Sequence, residues 1–117
     1  MWKKGIDLTW TTDNNSENEL MIMRYADVLL MYAEAKTELN EIDQPMVDAT
    51  INKVRARAYK VNANDKTKYP AVVAGTKESM RKLVRLERRM ELALEGRRYM
   101  DIIRWKLAEK VLNYDIY

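Results

Sequence analysis

Glu87 and Glu91 stand one helical turn apart in a basic, leucine-rich stretch. Two close carboxylates are the pattern used for general acid–base work on a glycosidic bond. Arg81, Arg85, Arg88 and Arg89 crowd the same stretch and have the charge to track phosphates. Asp13, Asn14, Asn15, Ser16, Glu17 and Glu19 are rich in the oxygen donors that calcium prefers. Trp2, Trp10, Tyr59, Tyr69 and Trp105 offer flat ring faces that match the C–H faces of pyranoses.

Each pattern has a plainer competitor. Glu87 falls inside the apolar face of its helix, and a buried carboxylate is tolerated only when paired and hydrogen-bonded. Arg55 or Arg24, each beside an apolar stripe, should meet it, with Arg88 and Arg104 next, and no polar cleft should surround it. Ion pairing with structural purpose is therefore favoured over catalysis, since arginine neighbours keep both carboxylates ionised. The arginine stripe shares its helix with Glu78, Glu87, Glu91 and Glu95, which offset its field. The acidic run lacks the glycine and ligand spacing of a calcium loop. Trp105 has helical spacing with Ile102 and reads as a packing anchor. Tyr59 and Tyr69, at a long connection, are the better ligand-binding candidates.

The absences narrow the chemistry further. Among 117 residues there is no His and no Cys, which removes His-based triads, thiol nucleophiles, structural zinc and disulfides. Gly5, Gly75 and Gly96 stand alone, so no phosphate-cradling loop exists. No catalytic residue, metal site or cofactor is expected. The longest apolar run, Val28–Ala33, is far too short to span a bilayer. Residues 1–50 carry four Lys/Arg against ten Asp/Glu, a net of −6, and residues 51–117 carry seventeen against eight, a net of +9. Such a split suits either a nucleic-acid surface or two halves of one fold that attract each other.

Few Gly and Pro among many Leu, Met, Ala, Glu, Lys and Arg predict an all-α chain. Residues 1–19 read as an irregular N-terminal segment, with room for an edge strand at Lys3–Trp10 and a turn at Asp13–Ser16. Residues 20–117 form the helical region. The first helix lies within Leu20–Leu39, with capping-box spacing between Ser16 and Glu19 and a regular start near Arg24. Ile22, Ala26, Leu29 and Ala33 make one apolar stripe. Tyr25, Val28, Tyr32, Ala35 and Leu39 make a second, and Asp27, Glu34 and Glu38 form a narrow polar ridge, so this helix should be covered from two sides. A second helix, capped by Asp43 or Gln44 with Pro45 near its start, runs to Ala58 on the stripe Val47, Ile51, Val54, Ala58. Together these make one antiparallel tetratricopeptide-like unit, which needs neighbours to bury its faces. Residues 59–75 connect it to a third helix, capped by Thr76, closed at Gly96 and apolar along Met80, Leu83, Leu86, Met90, Ala93 and Leu94. A fourth helix over Arg98–Leu112, striped by Tyr99, Ile103, Leu107 and Val111, completes a second helical pair, and Tyr114–Tyr117 frays.

Two segments carry a resemblance. One is Arg24-Tyr25-Ala26-Asp27-Val28-Leu29-Leu30-Met31-Tyr32-Ala33-Glu34-Ala35, followed by Ile51-Asn52-Lys53-Val54-Arg55-Ala56-Arg57-Ala58. The other runs from Glu87-Arg88-Arg89-Met90-Glu91 through Glu95-Gly96-Arg97-Arg98-Tyr99 to Asp101-Ile102-Ile103-Arg104-Trp105. In this order and separation, over about residues 18–113, they resemble the C-terminal part of the SusD/RagB family. The resemblance implies a lipid-anchored protein of the outer surface of Bacteroidetes outer membranes. Such proteins are helical and not enzymes, bind glycans or in some members peptides, and cap a SusC-like TonB-dependent transporter. Family members are several times longer and begin with a lipoprotein signal ending in Cys. This chain therefore reads as a truncated or separately encoded fragment, with membrane attachment only through an anchor absent here. Tyr59 replaces the Gly that many relatives carry after the Arg-Ala-Arg-Ala run, so that turn should differ.

The expectation is thus a C-terminal portion of a nutrient-binding protein whose Arg24, Arg55, Glu87, Arg88, Glu91, Asp101 and Arg104 form a structural ionic lattice, with Trp105 packed against it. An apolar face should stay uncovered, and the isolated chain should self-associate. The alternative is a small basic helical protein that binds nucleic acid.

Overall fold

The structure, a computed structural model, describes residues 22–113. The N-terminal strand and turn, the Ser16–Glu19 capping box, the acidic run, Trp2, Trp10 and Tyr114–Tyr117 lie outside the described residues. Within them every regular element is a helix: α1 (Tyr25–Glu38), α2 (Gln44–Val47), π1 (Asp48–Asn52), α3 (Lys53–Ala58), α4 (Lys77–Glu91), α5 (Arg98–Arg104) and α6 (Ala108–Leu112). The described residues are all-α, as the composition predicts.

Arg24 enters α1 in an extended conformation, φ −114° and ψ 156°, and the helix begins directly after it. Asp43 caps α2 by accepting from the Met46 N–H at 2.9 Å, and Pro45 fills the first turn where its missing N–H costs nothing. α2, π1 and α3 form one rod, with π1 inserting a single wide turn into it. The N-terminal end of α1 lies beside the C-terminal end of α3, so rod and helix run antiparallel. Their shared core is Ala26, Leu30 and Ala33 of α1 with Val47, Ile51 and Val54 of the rod, closed by Val72, Met80 and Val84. α4 also runs antiparallel to α1: Arg24 pairs with Glu91, and Glu38 with Arg81.

Three helices are closed by residues in the left-handed region: Asn40, Lys60 and Lys106, with φ of 59°, 57° and 53°, follow α1, α3 and α5, while Leu94, φ 66°, lies in the turns after α4. After α1 the Glu41 N–H returns to the Lys36 carbonyl, after α3 Val61 returns to Ala56, and after α5 Leu107 returns to Ile102, the six-to-one bond of a Schellman close. The turn after the Arg-Ala-Arg-Ala run places Lys60, not Tyr59, in that conformation.

Four sequence expectations need correction. The stripe Tyr25, Val28, Tyr32, Ala35, Leu39 faces outward, and Asp27 of the polar ridge is buried instead. α4 stops at Glu91, and Gly96 (φ 73°) ends the turns that follow rather than the helix. Leu86, Met90 and Leu94 are exposed, while Met80, Val84, Glu87 and Arg88 form the buried face of α4. The fourth helix is broken at Lys106, and α6 buries nothing, so the second helical pair is shorter than expected.

Candidate functional site

Charged side chains fill the seams between helices in two clusters. The first lies between α1, α4 and α5. The Arg88 guanidinium donates to Asp27 at 2.9 Å and to Asp101 at 3.1 and 3.3 Å. Arg104 donates to Asp101 at 2.8 Å and forks onto both oxygens of Glu34 at 2.7 and 2.6 Å. Arg97 approaches Asp27 at 3.5 Å. Three acids thus face three arginines, and the cluster is neutral. Burial opposes the charge on Arg104, and the hydrogen bonds it donates to Glu34 and Asp101 overcome it, so its pKa is raised. Trp105 closes the cluster: its Nε1–H donates to Glu34 at 2.6 Å, and Arg85 and Arg104 lie 5.0 and 4.7 Å from its ring.

The second cluster lies where α4 meets α3 and the start of α1. Glu87 accepts from Arg55 at 3.1 and 2.5 Å. Glu91 accepts from Arg57 at 2.5 Å and lies 2.7 Å from Arg24. Arg24 also forks onto Glu95 at 2.9 and 2.8 Å. Glu95 is the largest cause of a raised Arg24 pKa, ahead of the burial that opposes it and the contribution of Glu91. Glu87, Glu91 and Glu95 recur every four residues, the last of them beyond the end of α4, and each meets an arginine. Of the partners open for Glu87, the structure brings Arg55, while Arg24 goes to Glu91 and Glu95.

The arginine stripe is likewise engaged with this chain. Arg81 forks onto Glu38 at 2.6 Å through each nitrogen, Arg88 is buried, and Arg85 lies over Trp105, which leaves Arg89 facing outward.

The connection 59–75 is held by a polar ladder that sequence reasoning missed. Gln44, Asp48 and Asn52 recur every four residues on one side of the rod. Asn52 accepts from the Val72 N–H at 2.7 Å and donates to the Val72 carbonyl at 3.0 Å. Gln44 donates to the same carbonyl at 3.1 Å and accepts from the Ala74 N–H at 2.8 Å. Asp48 orients both amides, at 2.9 and 2.6 Å, and receives Lys66. The available signal was the spacing of the three polar residues beside the apolar stripe of the rod.

A shallow hollow of about 300 Å³ opens between α3 and α4, lined by Val54, Ala58, Tyr59, Pro70, Leu86 and Met90 with Arg55, Glu87 and Glu91 at its wall. Both glutamates therefore border an open space, one lined mainly by apolar side chains. Their side chains are only 9 % exposed each, and guanidinium groups occupy oxygens of both. Tyr59 shows its ring there at 55 % exposure, whereas Tyr69 is buried and donates its hydroxyl to the Ala63 carbonyl at 2.8 Å. The described residues contain no group of acidic side chains arranged to hold a metal, and no helix among them is long and apolar enough to cross a membrane.

Comparison with known proteins gives consistent matches. The model of the SusD family matches residues 1–117. A SusD-like protein of Formosa agariphila is 32% identical over 98 residues, covering 83% of this chain and 19% of that protein. Another from the same organism is 33% identical over 110 residues, covering 91% and 21%. The crystal structure of a SusD-like carbohydrate binding protein from Bacteroides fragilis superposes with a TM-score of 0.67 at 49% identity, over 77% of this chain and 16% of that one. The chain spans about a fifth of the length of the curated relatives it matches.

Proposed function

Because this chain belongs to the SusD family, we propose that it supplies the C-terminal helical part of a glycan-binding outer-membrane lipoprotein. That protein would work with a TonB-dependent transporter in nutrient uptake, on the outer surface of the cell. The match to a solved carbohydrate-binding relative at 49% identity carries this reading. The geometry supports a scaffold role within it. The two charge clusters are neutral, engaged from within the chain, and placed at helix seams. Glu87 and Glu91 serve as acceptors for Arg55, Arg57 and Arg24, the pairing expected of a scaffold. Tyr59, at the rim of the hollow, is the ring best placed to meet a sugar.

Affinity electrophoresis of the purified protein through gels cast with a panel of polysaccharides tests the ligand class. Tagged protein incubated with detergent-solubilised outer membranes of the source bacterium tests the partner. Retardation by a glycan, or recovery of a TonB-dependent transporter, is expected. Salt-sensitive binding to duplex DNA with neither of those would replace this reading by the nucleic-acid one.

A further inference from the structure

The outer face of α4 carries cations that the rest of the chain leaves unused. Lys82, Arg85 and Arg89 follow one another by three and four residues and share one side of the helix. That side lies opposite Met80, Val84 and Glu87, which pack inward. Elsewhere arginines are committed: Arg24, Arg55, Arg57, Arg81, Arg88 and Arg104 each donate to a carboxylate of this chain. Lys82, Arg85 and Arg89 pair with no carboxylate among the described residues. Glu38, whose carboxyl feels Arg85, is forked by Arg81 and approached by Lys77 at 3.8 Å. Glu78, one turn before Lys82, is the single acid on this side of α4, set against three cations. Arg85 is half-buried and lies 5.0 Å from the Trp105 ring, a contact that fixes its guanidinium and leaves its N–H donors for a second partner. Leu86 and Met90, 50 and 64 % exposed, border the cations and lead from them to the hollow that holds Tyr59.

We infer that this face binds an acidic polysaccharide, with its carboxylate or sulfate groups on Arg85, Arg89 and Lys82 and the C–H faces of its sugars on Leu86, Met90 and Tyr59. The inference rests on the glycan-binding reading and names the ligand class. Guanidinium groups recognise oxyanions through paired N–H donors, so two arginines one turn apart on one face suit a chain that carries successive anionic groups. A neutral sugar would cover these cations without supplying the charge they lack. Duplex DNA fits less well. The stripe is a single line about 10 Å long, from Lys82 to Arg89 at about 1.5 Å per residue. Strongly salt-dependent DNA binding takes about 6–10 phosphate contacts, more than three cations supply.

Polygalacturonate and dextran sulfate are the probes for carboxylate and sulfate. Fully methyl-esterified polygalacturonate and dextran are the uncharged forms of the same backbones. In titration calorimetry at least one charged probe should bind about tenfold or more tightly than its uncharged form, and the difference should shrink as salt rises. Arg89 faces outward, so Arg89→Glu reverses a charge of the face without disturbing the interior, and it should weaken that binding about tenfold. Lys36→Ala, which removes a cation from α1, should leave binding unchanged. In the native protein the Nε–H resonances of Arg85 and Arg89 should shift on addition of the bound probe, while that of buried Arg88 stays in place. Equal binding of charged and uncharged forms, or binding of the uncharged forms alone, would overturn this inference and leave the glycan reading standing. Binding of a charged probe that Arg89→Glu does not change, or duplex DNA held as tightly as that probe, would also overturn it. Failure to bind any polysaccharide would remove the glycan reading together with it.

Discussion

Arg88 and Asp27 lie 61 residues apart in the chain and meet at 2.9 Å, each with only 5 % of its side chain exposed. The pair fastens α4 to α1 and, through Asp101, to α5. Removing one partner weakens the hold on the others. Arg88→Ala should cost about 3 kcal/mol, because buried Asp27 would keep only the more distant Arg97 and buried Asp101 only Arg104. Arg88→Lys keeps the charge but not the planar fork and should fall between. Urea denaturation with the slope held constant measures both. A loss under about 1 kcal/mol for the alanine variant would show that the seam tolerates the charges unpaired.

Glu87 makes the same argument on the other cluster, and Arg57 provides the contrast. Glu87→Ala should destabilise by about 3–5 kcal/mol, since it leaves Arg55 partly buried and holding only the Pro70 carbonyl. Arg57 is 60 % exposed at its side chain, and Arg57→Ala should change stability by no more than about 1 kcal/mol. Equal effects from the two variants would mean that burial does not set the strength of these pairs.

The helical class, the start of α1 after Arg24, the Asp43 and Thr76 caps and the core positions Val47, Ile51 and Val54 were all legible from local spacing. The charge split between the two halves reappears as pairs such as Asp27–Arg88, Glu34–Arg104 and Glu38–Arg81. What was not legible depends on partners distant in sequence. Asp27 reads as part of a solvated ridge until Arg88 is placed against it, and Leu86 and Met90 read as core until Glu87 and Arg88 take the buried face. The break at Lys106 has no Gly or Pro to mark it, so periodicity runs straight across it.

Asn52 should control the connection 59–75. Asn52→Leu leaves the Val72 N–H without its acceptor in a buried position, a loss of about 1–3 kcal/mol per unsatisfied group. The effect should be local as well as global. Limited proteolysis should cleave between Asn62 and Ala71 several-fold faster in the variant, while sites within α4 remain protected. Unchanged cleavage in a destabilised variant would show that the connection is held elsewhere.

Acid should weaken the same ladder. Lys66 holds the Asp48 carboxyl below the usual carboxylate range, with Asn52 and Gln44 assisting and burial opposing. A folded-state pKa that is depressed contributes stability that is present above the unfolded value, about 3.9, and is lost as pH falls through the folded value. The advantage of the native protein over Asp48→Asn should therefore be steady from pH 7 to about 5 and shrink below about pH 4. Thermal midpoints of the two proteins between pH 7 and pH 2 give the comparison, and a gap that stays constant to pH 2 would mean that Asp48 is not held in its charged form by the fold.

Lys106 carries a backbone conformation that its side chain makes costly. Its φ of 53° closes α5, with the Leu107 N–H returned to the Ile102 carbonyl at 2.9 Å and its own N–H to Ile103 at 2.9 Å. The left-handed region costs an L-residue about 1–2 kcal/mol, and glycine escapes this but gives up about 0.5–1 kcal/mol through the freedom of its unfolded chain. Lys106→Gly should therefore stabilise by up to about 1 kcal/mol, a gain rarely found by changing an exposed lysine. Lys106→Val, β-branched and intolerant of positive φ, should destabilise. The opposite order of the two variants in thermal denaturation would mean that the chain after Arg104 does not close in this turn, and that α5 continues toward Leu112 as the unbroken periodicity of its stripe suggests.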